Sequence, residues 1–171
     1  RLTSIAHVEG YYYRPKVDKE TLKKYSKGVI CTSGCISGEI ASLLLEDNYK
    51  KAKETALWFQ EVFGEDYYLE LQRHEYEKYV DAAGSVDIKT DLRRMAKNEK
   101  VIEEGVLKLS RELALPIVAT NDSHYIESGD ADAQDVLVCV ATGKLVSETK
   151  RIRYIDNPNF YIKSPEQMAN L

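Results

Sequence analysis

The residues with the most chemical potential in this chain are Asp122 and His124, two apart in Ala119-Thr120-Asn121-Asp122-Ser123-His124-Tyr125. In extended chain, residues two apart project to the same side, so a carboxylate and an imidazole converge there. That pairing suits a divalent metal ion. Two further donors are similarly placed: Cys35 in Ser33-Gly34-Cys35-Ile36-Ser37-Gly38, and His74 just beyond Tyr67–Gln72. A thiolate, two imidazoles and a carboxylate would make a mixed sulfur, nitrogen and oxygen site, with zinc the first choice and manganese or magnesium the alternatives. Each donor also has a plainer reading alone. His124 could be a hydrogen-bonded structural histidine, Cys35 a small residue packed in a turn, and Asp122 a cap on the next turn. His74 is the weaker candidate, because an exposed loop histidine fits its position equally well. Cys31, inside a strand, and Cys139, on a helix face, read as core. No residue is assigned to catalysis or to substrate binding.

Each donor follows a stretch that reads as a strand: the short apolar Val29–Thr32 before Cys35, the alternating Tyr67–Gln72 before His74, and the short apolar Ile117–Ala119 before Asp122. Helical patterns lie between them. Arg1–Val8 reads as a helix end stopped by Gly10, and Lys19–Tyr25 as a short helix capped by Asp18. From Ile40 to Gly64 the helical spacing breaks only at Asp47-Asn48. Met95–Leu113 is periodic through Val101, Ile102, Val106 and Leu109. Ala131–Val140 is a helix with Ala133, Val136, Leu137 and Val140 as its packing face, closed by Gly143. Ser164-Pro165-Glu166-Gln167 opens a last helix with a capping box. Two stretches fall outside this order. Tyr11–Lys16 is an aromatic and basic loop, and Glu75–Arg94 reads as an exposed excursion, long for a compact domain. Strands alternating with helices predict an α/β fold with a parallel sheet, whose strand ends open on one face. Three strands are too few to close a barrel, which fits part of one.

The 171 residues suffice for one domain with a sizeable core. Hydrophobic content of 43% and charged content of 30% are those of a soluble globular chain. No run approaches the roughly 18 apolar residues that read as a membrane span. With no secretory leader pattern, the expected location is cytoplasmic, with no membrane partner. Three cysteines, an odd number, argue against a disulfide scaffold. A net charge of −4 excludes a generally basic nucleic-acid-binding surface, so DNA contact would be local or supplied from elsewhere. An opening at Arg1 without methionine, and an end at Leu171 inside another helical pattern, are expected of a piece cut from a longer protein.

The motif Ala119–Tyr125 resembles the last metal-binding motif of the PHP (polymerase and histidinol phosphatase) domain of bacterial DNA polymerase III alpha subunits, the C-family replicative polymerases. Ser33-Gly34-Cys35-Ile36-Ser37-Gly38-Glu39-Ile40 resembles that family's Ser-Gly-Cys-x-Ser-Gly-Glu-Ile motif. Further similarity lies in Glu9–Pro15, Tyr68–Gln72 and Phe160–Glu166, so it runs nearly end to end and in the family's order. The stretch from Glu75 to Arg94 departs most from the family's pattern. The resemblance implies a PHP-type distorted (β/α)7 barrel, of which residues 1–160 would be the C-terminal portion. Residues 161–171 would begin the connection into the polymerase palm. It also implies that Cys35, Asp122 and His124 are metal ligands. The family's opening His-x-His motif is absent, since the histidines are His7, His74 and His124. The remaining ligands are therefore expected in a missing N-terminal half, and His7 is left as structural.

The function implied is that of a piece of a DNA-directed DNA polymerase, a nucleotidyltransferase, whose PHP region binds metal and acts as a 3′→5′ exonuclease or phosphoesterase in the intact protein. The fragment alone would be inactive. Implied partners are DNA and other replicase subunits, including a proofreading exonuclease subunit. Two alternatives stand beside this reading: a non-catalytic structural and interaction module, and a stand-alone PHP phosphoesterase.

Overall fold

Three short parallel strands collect the candidate donors at one end of a sheet. The computed structural model describes all 171 residues. The chain begins with α1 (Leu2–Val8), a hairpin of β1 (Tyr11–Tyr12) and β2 (Arg14–Pro15), and α2 (Lys19–Lys24). As its sequence position suggests, Asp18 caps α2 by accepting the Thr21 N–H at 2.8 Å. Then come β3 (Cys31–Thr32), α3 (Glu39–Leu45), α4 (Tyr49–Phe63), β4 (Tyr67–Gln72) and α5 (Val86–Leu113). Last are β5 (Ile117–Thr120), α6 (Ala131–Thr142) and α7 (Pro165–Ala169). β4 is central, parallel to β3 through Cys31–Tyr67 and Thr32–Tyr68, and parallel to β5 from Leu69–Ile117 to Gln72–Thr120. The expected α/β fold with a parallel sheet is present; a closed barrel is not.

Alternation along β4 separates two environments. Tyr67 and Leu69 are fully buried in the main core with Ile40, Leu44, Ala52, Ala56, Val106 and Leu109 from α3, α4 and α5. Glu70 and Gln72 alternate to the other face, where a cavity opens. The helix layer is tight: a Cβ on Gly105 of α5 would lie 2.6 Å from the Leu44 side chain of α3.

The stretch from Glu75 to Arg94 is not an exposed excursion. Tyr76–Tyr79 form a single 3-10 turn, and α5 starts at Val86, nine residues before Met95. Ser85 caps it by accepting the Ile88 N–H. Tyr76, Val80, Ile88 and Leu92 pack with Phe160 into a second apolar cluster, flanked by Tyr125 and Tyr154. Charges between these anchors mask the helical spacing, and their partner, Phe160, is remote in sequence.

The packing face of α6 is also corrected. Val136, Leu137 and Val140 are 49%, 61% and 77% exposed, whereas Ala131, Asp135 and Cys139 point inward. A charged residue on the inner face defeats an apolar-stripe reading, and Asp135 is buried because Arg151 meets it there. Cys139 is buried as expected, and Cys31 is half-buried against the main core. Tyr11–Lys16 contains a small hairpin, with its aromatic rings exposed. The break at Asp47-Asn48 and the Ser164 capping box stand as expected. No helix is long and apolar enough to cross a membrane.

Candidate metal centre

Cys35 sits in the loop between β3 and α3, where the chain must turn back sharply. Gly34 takes φ +80°, and the Gly38 N–H donates to the Cys35 carbonyl at 2.8 Å. Ser33 ties this loop to the central strand, its hydroxyl accepting the Glu70 N–H at 2.8 Å. Beyond β5, Asn121 anchors the next loop by donating to the carbonyls of Asn159 and Tyr161 at 2.8 and 2.6 Å. Asp122 follows with φ +47°. The Asp122–His124 segment is therefore not extended. The two side chains still converge, with His124 Nε2 3.6 Å from Asp122 Oδ1, because the left-handed residue turns the chain.

A cavity of about 50 Å3 lies at these strand ends, lined by Gly34, Cys35, Ile36, Glu70, Gln72, His74, Tyr76, Glu99, Ile102 and Asp122. It adjoins a larger one of about 470 Å3, which shares Cys35, Ile36, Tyr76 and Asp122 and adds Arg94, Arg153, Tyr154 and Phe160. The structure thus brings Cys35, His74 and Asp122 to one cavity. His124 is set beside it, against the rings of Tyr154 and Phe160 at 4.8 and 5.9 Å between centroids. No three His, Cys, Asp or Glu side chains stand close enough to form a closed metal-binding set.

His74 departs from its plainer reading. It is not an exposed loop residue but only 6% exposed. Its carbonyl accepts from both Asn157 and Asn159, and Phe160 stacks on its ring at 4.3 Å. Its Nε2 is buried without a hydrogen-bond partner. A buried polar atom left unpaired is costly, so an electron-pair acceptor at Nε2 would suit this site. The donor chemistry fits a divalent ion on that ground, although the set within the chain is incomplete.

Glu70 and Glu99 were not legible as site residues. Glu70 spans the sheet, its carboxylate accepting from Thr32 of β3 at 2.6 Å, from Gln72 at 2.8 Å and from Thr120 of β5. Burial pushes its carboxyl up, but the hydrogen bonds from Thr120, Thr32 and Gln72 outweigh this and hold it below the usual carboxylate range. A signal existed: Glu70 lies on the strand face opposite Leu69, near the C-terminal end. Glu99, in mid-α5, gave none.

The family model described as "PHP domain" matches residues 1–74, a range that includes Cys35 and His74 but not Asp122 or His124. A DNA polymerase III subunit alpha from Borreliella burgdorferi is 45% identical over 171 residues, 100% of this chain and 13% of that protein. One from Helicobacter pylori is 39% identical over 180 residues, covering 99% of this chain and 13% of its own length. One from Chlamydia pneumoniae is 36% identical over 179 residues, covering 99% and 14%. The chain therefore spans about 13% of the length of the first two relatives. The chain is therefore similar at its start to the PHP domain and, from end to end, to a segment of DNA polymerase III alpha subunits.

Proposed function

We propose that the full-length protein is a DNA-directed DNA polymerase, and that this chain forms the metal-bearing C-terminal portion of its PHP domain. In this reading residues 1–160 belong to that domain, and residues 161–171 begin the connection to the polymerase palm. One observation carries the metal assignment: Cys35, His74 and Asp122 line one cavity at the ends of parallel strands, with a buried, unpartnered imidazole nitrogen among them. Cys35, Asp122, His124 and His74 would hold the ion, zinc first by donor type and manganese or magnesium as alternatives. Donors from elsewhere in the longer protein would complete the set.

When bound, a divalent ion supplies charge neutralisation at phosphate oxygens and acidification of an attacking water. That chemistry suits 3′→5′ removal of a terminal nucleotide from DNA. The chain's own part is to orient donors: Ser33 and Gly38 fix the Cys35 loop, and Asn121 fixes the Asp122 loop. DNA and the other replicase subunits, a proofreading exonuclease subunit among them, are the partners of this reading.

A second reading is favoured by the incompleteness of the donor set within this chain. Here the region is a structural module that supports the polymerase and docks its partners, and any ion is only stabilising. Metal content and 3′→5′ exonuclease, measured on the full-length protein and on its Cys35→Ala, Asp122→Asn, His124→Ala variant, separate the two. Joint loss of metal and nuclease is the catalytic outcome. Loss of metal and stability, with no nuclease in either protein, is the structural one. Absence of metal from the parent protein ends both metal assignments.

A further inference from the structure

The hairpin of β1 and β2 has no part in the site above and belongs to neither apolar cluster. Residues 11–20 are all exposed, with Tyr11, Tyr12 and Tyr13 at 62%, 70% and 83%. Its shape is nevertheless fixed. The Lys16 N–H donates to the Gly10 carbonyl at 3.2 Å, and a Cβ on Gly10 would lie 1.9 Å from the Lys16 carbonyl oxygen, so only glycine lets the ribbon close. Tyr13 alone makes the turn, with φ +58°. That conformation is costly for a bulky side chain and free for glycine, so an aromatic ring stands at the tip against its backbone preference. Register sets the faces. Tyr12 and Arg14 are paired directly across the ribbon, so they project to one side, with Lys16 two residues beyond Arg14. Tyr11 projects to the other side. The Tyr12 and Tyr13 rings meet edge-on at 4.7 Å between centroids.

Charge is distributed to match. Residues 1–28, which precede the parallel sheet, carry seven lysines and arginines against three acids, whereas the rest of the chain carries 17 against 25. Lys19 and Lys23 are engaged by Glu39 and Glu61 at 2.7 and 2.8 Å, but Arg14 and Lys16 have no ion-pair partner. We propose that this hairpin binds single-stranded DNA: bases stack on Tyr12 and Tyr13, and the flanking phosphates meet Arg14 and Lys16. Exposed aromatic rings beside unpaired cations are the two parts such a strand needs, because its bases offer open faces and its backbone carries one charge per nucleotide. A duplex keeps its base faces stacked and offers the rings nothing. The choice of DNA rests on the polymerase reading above; the metal reading is not needed.

The test uses the full-length protein and a deoxythymidine oligonucleotide. Photocrosslinking with 5-iododeoxyuridine in the strand, followed by mass spectrometry of the digest, locates the contact. Fluorescence anisotropy over a salt series gives affinity and salt slope. Primer extension by the same preparations reports the polymerase reading separately, and urea midpoints, which should not move because the altered side chains are exposed, report folding. Adducts are expected on Tyr12 or Tyr13. Tyr12→Ala should weaken binding by about 5- to 150-fold, as loss of one base–aromatic stack does, while Tyr12→Phe keeps the ring and should bind as the parent does. Tyr11→Ala, on the opposite face, should have no effect. Arg14→Ala with Lys16→Ala should lower the magnitude of the salt slope by about 1.4, for two phosphates lost from a single strand. Adducts confined to other parts of the protein would overturn the proposal, as would equal losses from Tyr11→Ala and Tyr12→Ala. Parental affinity and slope in Tyr12→Ala and in the Arg14→Ala/Lys16→Ala pair would overturn it too, and would turn the hairpin over to a protein partner.

Discussion

Arg151 and Asp135 meet in a two-pronged ion pair inside the protein, Nη1–Oδ1 at 2.9 Å and Nη2–Oδ2 at 2.5 Å, with side chains 1% and 2% exposed. Asp135 also accepts the Tyr154 N–H at 3.0 Å, and the Tyr154 ring packs against His124. The pair thus links α6, through one tyrosine, to a candidate ligand.

Removing one partner of a buried pair strands the other charge, at a cost of about 3–5 kcal/mol. Arg151→Ala should destabilise the protein by that order, seen as a lower urea midpoint. Replacing both residues together, as Arg151→Met with Asp135→Leu, should cost far less, because no charge is left uncompensated. A double variant as unstable as Arg151→Ala would count against the charge argument.

The same pair makes a pH prediction. Burial pushes the Asp135 carboxyl up, but the Arg151 guanidinium and the Tyr154 N–H outweigh it and hold the group below the usual aspartate range. A depressed folded-state value means its stabilisation is fully present above the unfolded value of about 3.9. It is lost as pH falls through the lower folded value. Stability measured from pH 6 downward should therefore fall below about pH 4, and Asp135→Asn should flatten that limb while lowering the plateau. A limb of unchanged slope would show that other carboxylates dominate.

Glu70 joins all three strands of the parallel sheet through Thr32 and Thr120. Glu70→Ala leaves both hydroxyls without their acceptor; water replaces it at exposed Thr32, so the cost, about 1–3 kcal/mol, falls on half-buried Thr120. Glu70→Gln keeps one acceptor oxygen and should fall between the two. Backbone hydrogen exchange at Thr32 and Thr120 should speed up in Glu70→Ala relative to Leu109 in the helix layer. Uniform acceleration would mean a general loss of stability, not a local loosening of the sheet.

The sheet was legible because its signals are local: short apolar runs, a capped helix at Asp18, and a left-handed close at Gly143. What stayed hidden was set by distant partners. In the sequence His74 reads equally well as a ligand and as an exposed loop residue, because Phe160, which covers it, lies more than eighty positions away. The inward face of α6 carries Asp135 because Arg151 returns to meet it, so apolar periodicity chose the wrong side. Asp122 and His124 converge as their spacing suggests, but through a left-handed turn that spacing does not encode.

Gly38 ties backbone geometry to the Cys35 position. A Cβ there would lie 2.6 Å from the Ser33 carbonyl oxygen and 3.0 Å from that of Cys35. Gly38→Ala must therefore push the loop open, at about 1–3 kcal/mol of overpacking. Zinc affinity should drop with Cys35 chemically intact, and iodoacetamide should alkylate Cys35 faster in the metal-free protein. Wild-type alkylation and affinity in a correctly folded Gly38→Ala protein would show that the loop adapts without moving the thiol.

Phe160 contacts both histidines, stacking on His74 at 4.3 Å and meeting His124 edge-on at 5.9 Å between centroids. It also belongs to the second apolar cluster with Tyr76, Val80, Ile88 and Leu92. Its removal therefore has two separable consequences. Phe160→Ala leaves a cavity and should cost about 3–5 kcal/mol, read from the urea midpoint. Both imidazoles should also gain freedom, so zinc affinity should fall even under conditions where the variant is fully folded. Phe160→Leu distinguishes filling from stacking: it restores much of the volume but no aromatic face, and an aromatic pair contributes about 0.5–1.5 kcal/mol beyond its buried area. Stability recovered in Phe160→Leu with zinc affinity still low would place the ring itself in the support of His74 and His124. Affinity that follows stability through both substitutions would reduce Phe160 to packing, and the positioning of His74 would then rest on the hydrogen bonds to its backbone.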